Sequence, residues 1–234
     1  MLGFKRISKC HPIKILGGGS GGRYYADGSD AIHVVPDSKN LPAEFVEGRF
    51  PVRIEKLGLA ADSGGAGKYR GGLGYQKEIR VLADDAKFMS IADRSILSCW
   101  GLNGGKAGAP FKVTINPGTD DEQVMEGLCD REPINHGALI RVETTGGGGW
   151  GDPLERDTSL VQLDVLQGKV SQQAAKNDYG VVFVSHSEVP EVDLAETQAL
   201  REAMIKERGS LKFFDRGPGF ELLAGASEAE VDQI

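Results

Sequence analysis

Two rhythms divide this chain. Up to Trp150 the apolar residues come mainly in short alternating runs. After Pro153 they come at helical spacing. Residues 51–59 alternate Val52, Ile54 and Leu57 imperfectly with charges, and residues 76–83 alternate better, with Ile79 and Val81 set against Lys77, Glu78 and Arg80. Residues 87–92 and 111–115 are short apolar strands, the second alternating Phe111, Val113 and Ile115, and residues 139–142 run into a glycine cluster. Strands of this length, separated by Gly, Pro, Asn and Asp turns, predict an antiparallel or mixed β body. Residues 42–48 (PAEFVEG) predict one or two helical turns.

Helix signals follow. Asp157 is placed to cap a helix reaching about Gln167, with Leu160, Leu163 and Leu166 on one side and Gly168 at the stop. Ser171 caps a second helix toward Tyr179 and Gly180, and residues 181–184 read as a strand. Asp193, with Glu196 three residues on, has the form of a capping box. The helix it opens runs to Arg208 and closes at Gly209, with Leu200 and Met204 on one face and a Glu202–Lys206 pair on another. The fold class predicted is α+β. It has a β-rich mixed or antiparallel body with long Gly-rich loops over residues 13–153 and a helical appendage over 154–209. An acidic, Gly-containing tail over 210–234 reads as frayed or disordered.

Composition changes this picture in one respect. Four clusters, at residues 17–22, 63–74, 101–108 and 144–153, hold 20 of the 33 glycines. Glycine loses the most backbone entropy on folding, so such clusters mark positions of positive φ or very close backbone approach. Residues 13–16 run straight into the first cluster. A domain rarely opens this way, so the chain is expected to start part-way through a larger architecture.

Charge and cysteine narrow the function classes. Net charge is −7 over 234 residues, with 11 acidic and five basic residues between 188 and 234. The body is nearly neutral and has no basic stripe for phosphates, which argues against nucleic-acid binding. No apolar run approaches the ~20 residues of a membrane span, and no secretory signal is visible. Cys10, Cys99 and Cys129 are odd in number and widely spaced, which predicts reduced thiols and a cytoplasmic location.

Few motifs carry chemistry. The run Gly64–Lys68 (GGAGK) looks like the end of a Walker A loop, but Asp62 stands where its first glycine belongs and Tyr69 where a magnesium-binding hydroxyl belongs. The run GGGGWGD lacks the strand, helix and charge partners of a dinucleotide site. Close packing of bare loops under Trp150 is the alternative, and the preferred one. The histidines His11, His33, His136 and His186 are far apart, with no metal-binding spacing. His33 stays a catalytic candidate because Asp27 and Asp30 are near in sequence. Asp93 and Arg94 are candidates as well, since an Arg at a strand end beside a flexible loop can hold a carboxylate or phosphate bidentately. The competing reading is a local Asp93–Arg94 pair that holds the loop, and Arg70 has the same two readings. Cys99 has no sequence-local base to activate it and reads as a small buried residue.

Five blocks in one order resemble the C-terminal portion of the hydantoinase B/oxoprolinase family. They are GGGSGGRYYADGSDAIH (17–33), PAEFVEGRFP (42–51), DSGGAGKYRGGLG (62–74), DR…WGLNGGKAGAP (93–110) and TTGGGGWGDP (144–153). The motif residues are Gly64, Gly65, Gly67, Arg70, Gly71 and Gly72 in one block, and Gly146, Gly147, Gly148, Gly149, Trp150, Gly151, Asp152 and Pro153 in another. Where the family tends toward a His-Met-Thr-Asn-Thr-Arg-like stretch, this chain reads His33-Val-Val-Pro-Asp-Ser-Lys39. The resemblance implies ATP-dependent opening of a lactam or hydantoin ring or, in relatives, ATP-dependent carboxylation of a ketone. It implies a hydantoinase A-like partner subunit that carries ATP and magnesium, and a divalent metal in a part of the subunit upstream of these blocks. It implies no cofactor within this chain. On that reading the chain is a truncated or split subunit, inactive when isolated; the alternative from another class is an assembly or binding module.

Overall fold

The computed structural model describes residues 16–33, 40–184 and 189–225. His11, His186, Cys10, the stretch after His33 that departs from the family pattern, and the last nine residues of the tail lie outside the described residues. The fold is α+β, and its named strands pair antiparallel. A short helix α1 (Ala43–Arg49) precedes strands β1 (Val52–Leu59), β2 (Tyr75–Val81), β3 (Ala86–Ile91), β4 (Gly101–Leu102), β5 (Lys112–Ile115), β6 (Gln123–Met125), β7 (Leu128–Ile134) and β8 (Leu139–Glu143). A 3-10 turn (Pro153–Glu155) and helices α2 (Thr158–Leu166), α3 (Gln172–Tyr179) and α4 (Leu194–Arg208) follow, then β9 (Phe214–Asp215) and α5 (Pro218–Leu223).

The main sheet has the order β1-β2-β8-β5-β6, and β3 and β7 form a separate ribbon. Alternation along β2, β8 and β5 sends Val81, Val142, Ile140, Val113 and Ile115 to one face, where Ile134 of β7 and the half-buried Phe88 of β3 close the core. The ribbon tolerates Pro133 opposite Lys87 because neither of its strands lies in a sheet interior.

The helix caps form at the residues the sequence marks. Asp157 accepts from Ser159 N, Ser171 from Ala174 N and Asp193 from Glu196 N. Gly180 ends α3 at φ 62°, the left-handed conformation that glycine adopts without a Cβ clash. Three details differ from expectation. The docked face of α2 is Val161 and Asp164, while Leu160, Leu163 and Leu166 stay exposed. Residues 181–184 form only a single bridge, Phe183 to Val192. Residues 210–225 are not a frayed end: β9 pairs with β4, and Asp215 accepts from Ala107 N at 2.9 Å.

Candidate functional site

The four glycine clusters converge into one bundle of extended segments. Gly146–Gly149 run along its axis, and their amides and carbonyls point to different neighbours in turn. Gly146 N donates to Ala109 O (3.1 Å), Gly147 N to Gly72 O (2.9 Å) and Gly149 N to Lys106 O (2.9 Å). Gly147 O accepts from Gly65 N, Gly148 O from Gly22 N, and Gly149 O from Leu102 N. A chain with about three residues per turn and no internal hydrogen bonds presents its polar groups radially in this way. None of these four glycines has a positive φ. Close approach is what requires them: a Cβ at Gly146, Gly147, Gly148 or Gly149 would overlap the carbonyl of Ser63, Ser20, Trp100 or Ala66 respectively. The same holds for Gly64, Gly65, Gly71 and Gly72, which abut the carbonyls of Gly71, Lys106, Gly147 and Ser29, and for Gly67, which faces the Trp150 backbone. Trp150 bridges Tyr69 and Leu102 at one end, and its ring lies 6.0 Å from that of Tyr69.

These amides donate to protein carbonyls, so they form no open nest for a phosphate. Lys68, the lysine of the Walker-like run, pairs instead with Glu155 at 3.2 Å. Asp62, which spoils that run, has φ 60° and accepts from Ser171 N at 2.7 Å, fixing the loop to the start of α3.

A charge network ties the helical part to the bundle. Arg156 grips Asp27 with both terminal nitrogens at 2.7 Å and reaches Asp164 at 2.8 Å. Arg70 contacts Asp164 at 3.4 Å and Asp30 at 3.3 Å, and Lys169 pairs with Asp30 at 3.0 Å. Three cations balance three carboxylates, with Arg70 and Arg156 fully buried. Burial alone would raise the Asp27 carboxyl, but the Arg156 guanidinium and the Arg70 amide outweigh it and hold it below the ordinary range. Asp30 is lowered against the same burial effect by Leu73 N, Lys169 and Arg70. Burial alone would lower Arg156, but Asp27 and Asp164 raise it. Asp152 caps the turn that begins at Pro153 by accepting from Leu154 N. It also pairs bidentately with Arg208 at the end of α4, and that pair holds its carboxyl low despite burial. At the start of the same stretch, Gly151 takes φ 75°.

The structure separates the candidates. Asp27 and Asp30, the reason for retaining His33, are spent on Arg156, Arg70 and Lys169. His33 lies instead beside Tyr75, ring centroids 6.0 Å apart, and its buried Nδ1 has no hydrogen-bond partner. Asp93 and Arg94 are both exposed, and among the described residues no ion pair joins them. Arg94 donates to Ser98 O at 3.3 Å, and its carbonyl accepts from Phe111 N. Trp100, on the same loop, is covered by Arg216 at 5.1 Å. Among the described residues no three His, Cys, Asp or Glu side chains converge as metal ligands. No described helix is long and apolar enough to cross a membrane.

Lys77 is the residue that the reading from sequence misplaced. Grouped there with the polar set, it shares its face with Ile79 and Val81, opposite Val142. Its side chain is buried, 2% exposed, and no hydrogen bond or ion pair reaches it among the described residues. The signal was present in the parity of 77, 79 and 81, which a residue-type grouping overrode. The Lys77 stem is covered while its ammonium is absent from the buried unpartnered atoms, the usual disposition of a snorkelling lysine, whereas His33 Nδ1 is both buried and without a partner.

Comparison with known proteins accords with this geometry. The family model described as hydantoinase B/oxoprolinase matches residues 4–153. The caprolactamase subunit beta of Pseudomonas jessenii is 32% identical over 171 residues, 68% of this chain and 28% of its own. A crystal structure of ATP-dependent caprolactamase from the same organism matches with TM-score 0.61 and 26% identity, over 80% of this chain and 33% of the other. A nucleotide-free structure of acetone carboxylase shares the fold with TM-score 0.71 at 24% identity, over 92% of this chain and 31% of the other. The chain thus spans a third or less of the length of these relatives. With well over half of its residues matched by the family model, the chain belongs to the hydantoinase B/oxoprolinase family.

Proposed function

We propose that this chain supplies the C-terminal portion of a B-type subunit of an ATP-dependent cyclic-amide hydrolase and works with an A-type subunit that binds ATP and magnesium. The observation that carries the reading is the similarity to caprolactamase subunit beta, a protein named for its action on a lactam. A ring amide is resonance-stabilised; phosphorylation of its oxygen, the chemistry ATP supplies, creates a leaving group and makes the ring carbon electrophilic. Nothing in this chain's glycine loops is arranged for that step, because Gly65 N, Gly147 N and Gly149 N already donate to carbonyls and Lys68 is held by Glu155. The role left to the chain is scaffolding of the B-type subunit. The broader match of the acetone carboxylase fold favours a second reading, an ATP-dependent ketone carboxylase subunit.

One reconstitution separates the two. The chain is combined with an A-type subunit and the upstream part of a B-type subunit, and ADP release is measured with caprolactam, 5-oxoproline or hydantoin and, separately, with acetone plus bicarbonate. Cyclic-amide-dependent ADP release that needs all components is expected. Bicarbonate-dependent loss of acetone would establish the carboxylase instead. Turnover by the isolated chain would overturn its role as a portion of a subunit, and absence of any turnover in the full assembly would leave a binding module.

A further inference from the structure

We infer that the exposed aromatic surface formed by Trp100, Phe213, Phe214 and Arg216 is a self-association surface, where a second copy of this chain docks across a two-fold axis. The segment after α4 is fastened by its polar groups. Asp215 accepts from Ala107 N at 2.9 Å and from Gly217 N at 3.0 Å, Asn103 N donates to Phe213 O at 2.7 Å, and β9 pairs with β4. The apolar side chains take little part in this fastening. Phe213 is 60% and Phe214 44% exposed, and Trp100, whose ring meets that of Phe214 at 6.0 Å, is 43% exposed. The rings of Phe213 and Phe214 are in edge contact at 4.8 Å, so the three form one continuous patch. Aromatic residues are only 7% of the chain, which makes their gathering on one surface informative. A segment pinned by its backbone while its rings face solvent leaves those rings to be covered by a partner.

Charge decides which partner. Arg216 lies over the rings of Trp100, Phe214 and Phe220 at 5.1, 6.0 and 4.5 Å, and this stacking holds the guanidinium in place. Among the described residues its side chain has no hydrogen bond or ion pair, so its N–H donors are unspent. Glu221, on the adjoining helix α5, likewise has no ion pair among the described residues. The nearer carboxylate, Asp215, is already committed to two amides. A surface with one free cation and one free anion is complementary to itself. A two-fold axis sets Arg216 of each copy against Glu221 of the other and closes two ion pairs at once. A purely acidic partner would oppose Glu221 and a purely basic one would oppose Arg216, so a second copy fits both.

Size and composition agree with this. A standard interface takes about 800 Å² from each partner, a little over half of it apolar. The three exposed rings offer roughly 300 Å² of that. Leu102, paired directly with Phe214, and Leu223, one helical turn on from Phe220, are exposed as well and extend the apolar area. Trp, Phe and Arg are the residues in which interface cores are enriched. The inference concerns assembly and holds whichever reaction the subunit serves.

Sedimentation velocity of the 234-residue chain reads its state directly. A dimer with a dissociation constant of about 1 µM or tighter is expected. Arg216→Glu and Glu221→Arg each turn two attractions into repulsions, so each variant alone is expected to be monomeric where the parent is dimeric. Mixed in equal amounts, the two variants again oppose unlike charges at both contacts and are expected to dimerise with each other. Phe213→Ser, at an exposed ring, is expected to weaken association at least about tenfold, whereas Val124→Ser, similarly exposed on β6, is expected to leave it unchanged. A monomeric parent overturns the inference and leaves the surface to a different polypeptide. A dimer that survives both charge reversals, a mixture of the two variants that stays monomeric, or a Phe213→Ser protein that associates like the parent overturns it as well.

Discussion

Gly147→Ala tests the packing of the glycine bundle most directly. The added Cβ would overlap the Ser20 carbonyl and come within 2.8 Å of Gly21 N, and all of these are backbone atoms. The atoms that must move also carry the bundle's hydrogen bonds: Gly147 N to Gly72 O (2.9 Å), Gly65 N to Gly147 O (2.8 Å) and Gly72 N to Ser20 O (2.8 Å). Overpacking costs about 1–3 kcal/mol where neighbours can yield. Each buried amide or carbonyl left unpaired costs about 1–3 kcal/mol more. Two groups left unpaired bring the total to roughly 3–9 kcal/mol, against a total stability of about 5–15 kcal/mol for an ordinary domain. Gly58→Ala is the control, because its Cβ would meet nothing within 4 Å. In a strand that change is neutral or stabilising by about 0.5–1 kcal/mol. Urea denaturation followed by tryptophan fluorescence reads both variants. Gly147→Ala is expected to lose most of its soluble yield or to show a midpoint shift equivalent to at least about 3 kcal/mol, the low end of the sum above. A midpoint within about 0.5 kcal/mol of the parent, the range of an ordinary surface substitution, would refute close packing as the reason for the cluster.

The charge network and the buried tyrosine give three further expectations. Asp164→Ala leaves Arg70 and Arg156 short of an anion and should cost about 3–5 kcal/mol in urea denaturation; a cost below 1 kcal/mol would show that water screens the cluster. Asp27, Asp30 and Asp152 all have folded pKa values below their unfolded ones, so their stabilisation is full above the ordinary carboxylate range near 4 and is lost as pH falls through the lower folded values. Stability measured by circular dichroism should therefore fall on acidification below about pH 4, and a rise there would contradict the sign. Tyr179 is buried with its hydroxyl unpartnered, so Tyr179→Phe should leave melting unchanged or raise it by up to about 4 °C, as loss of an unsatisfied polar group does; a drop larger than that would reveal a hydrogen-bond partner.

The elements that were legible in the sequence are those whose cause is local. Asp157, Ser171 and Asp193 cap the helices they mark because a cap needs only its own side chain and an amide two or three residues on. β2, β5 and β8 follow their alternation for the same reason. The leucine spacing of α2 is a local signal, while the choice of the side that docks is not. Val161 fits a small apolar cluster, and Asp164 is drawn in by Arg70 and Arg156, which lie 94 and eight residues away in the chain. Residues 210–225 escaped notice because β9 needs β4 beside it, and a two-residue strand carries no periodicity of its own.

The same distinction explains why the glycines identify the family without locating its chemistry. Four of the five blocks contribute one segment each to the bundle: Ser20 and Gly22 from the first, Gly65 and Gly72 from the third, Lys106 and Ala109 from the fourth, and Gly146–Gly149 from the last. Every segment must be bare where it meets the others, so one spatial requirement writes a glycine pattern into four distant stretches at once. Chemistry has no such repetition to advertise it. His33 closes the first block, and what singles it out is an absence, a buried Nδ1 without a partner, that only its packing beside Tyr75 exposes. Residues that satisfy one another build this fold; the residue to examine for function is the one the fold leaves unsatisfied.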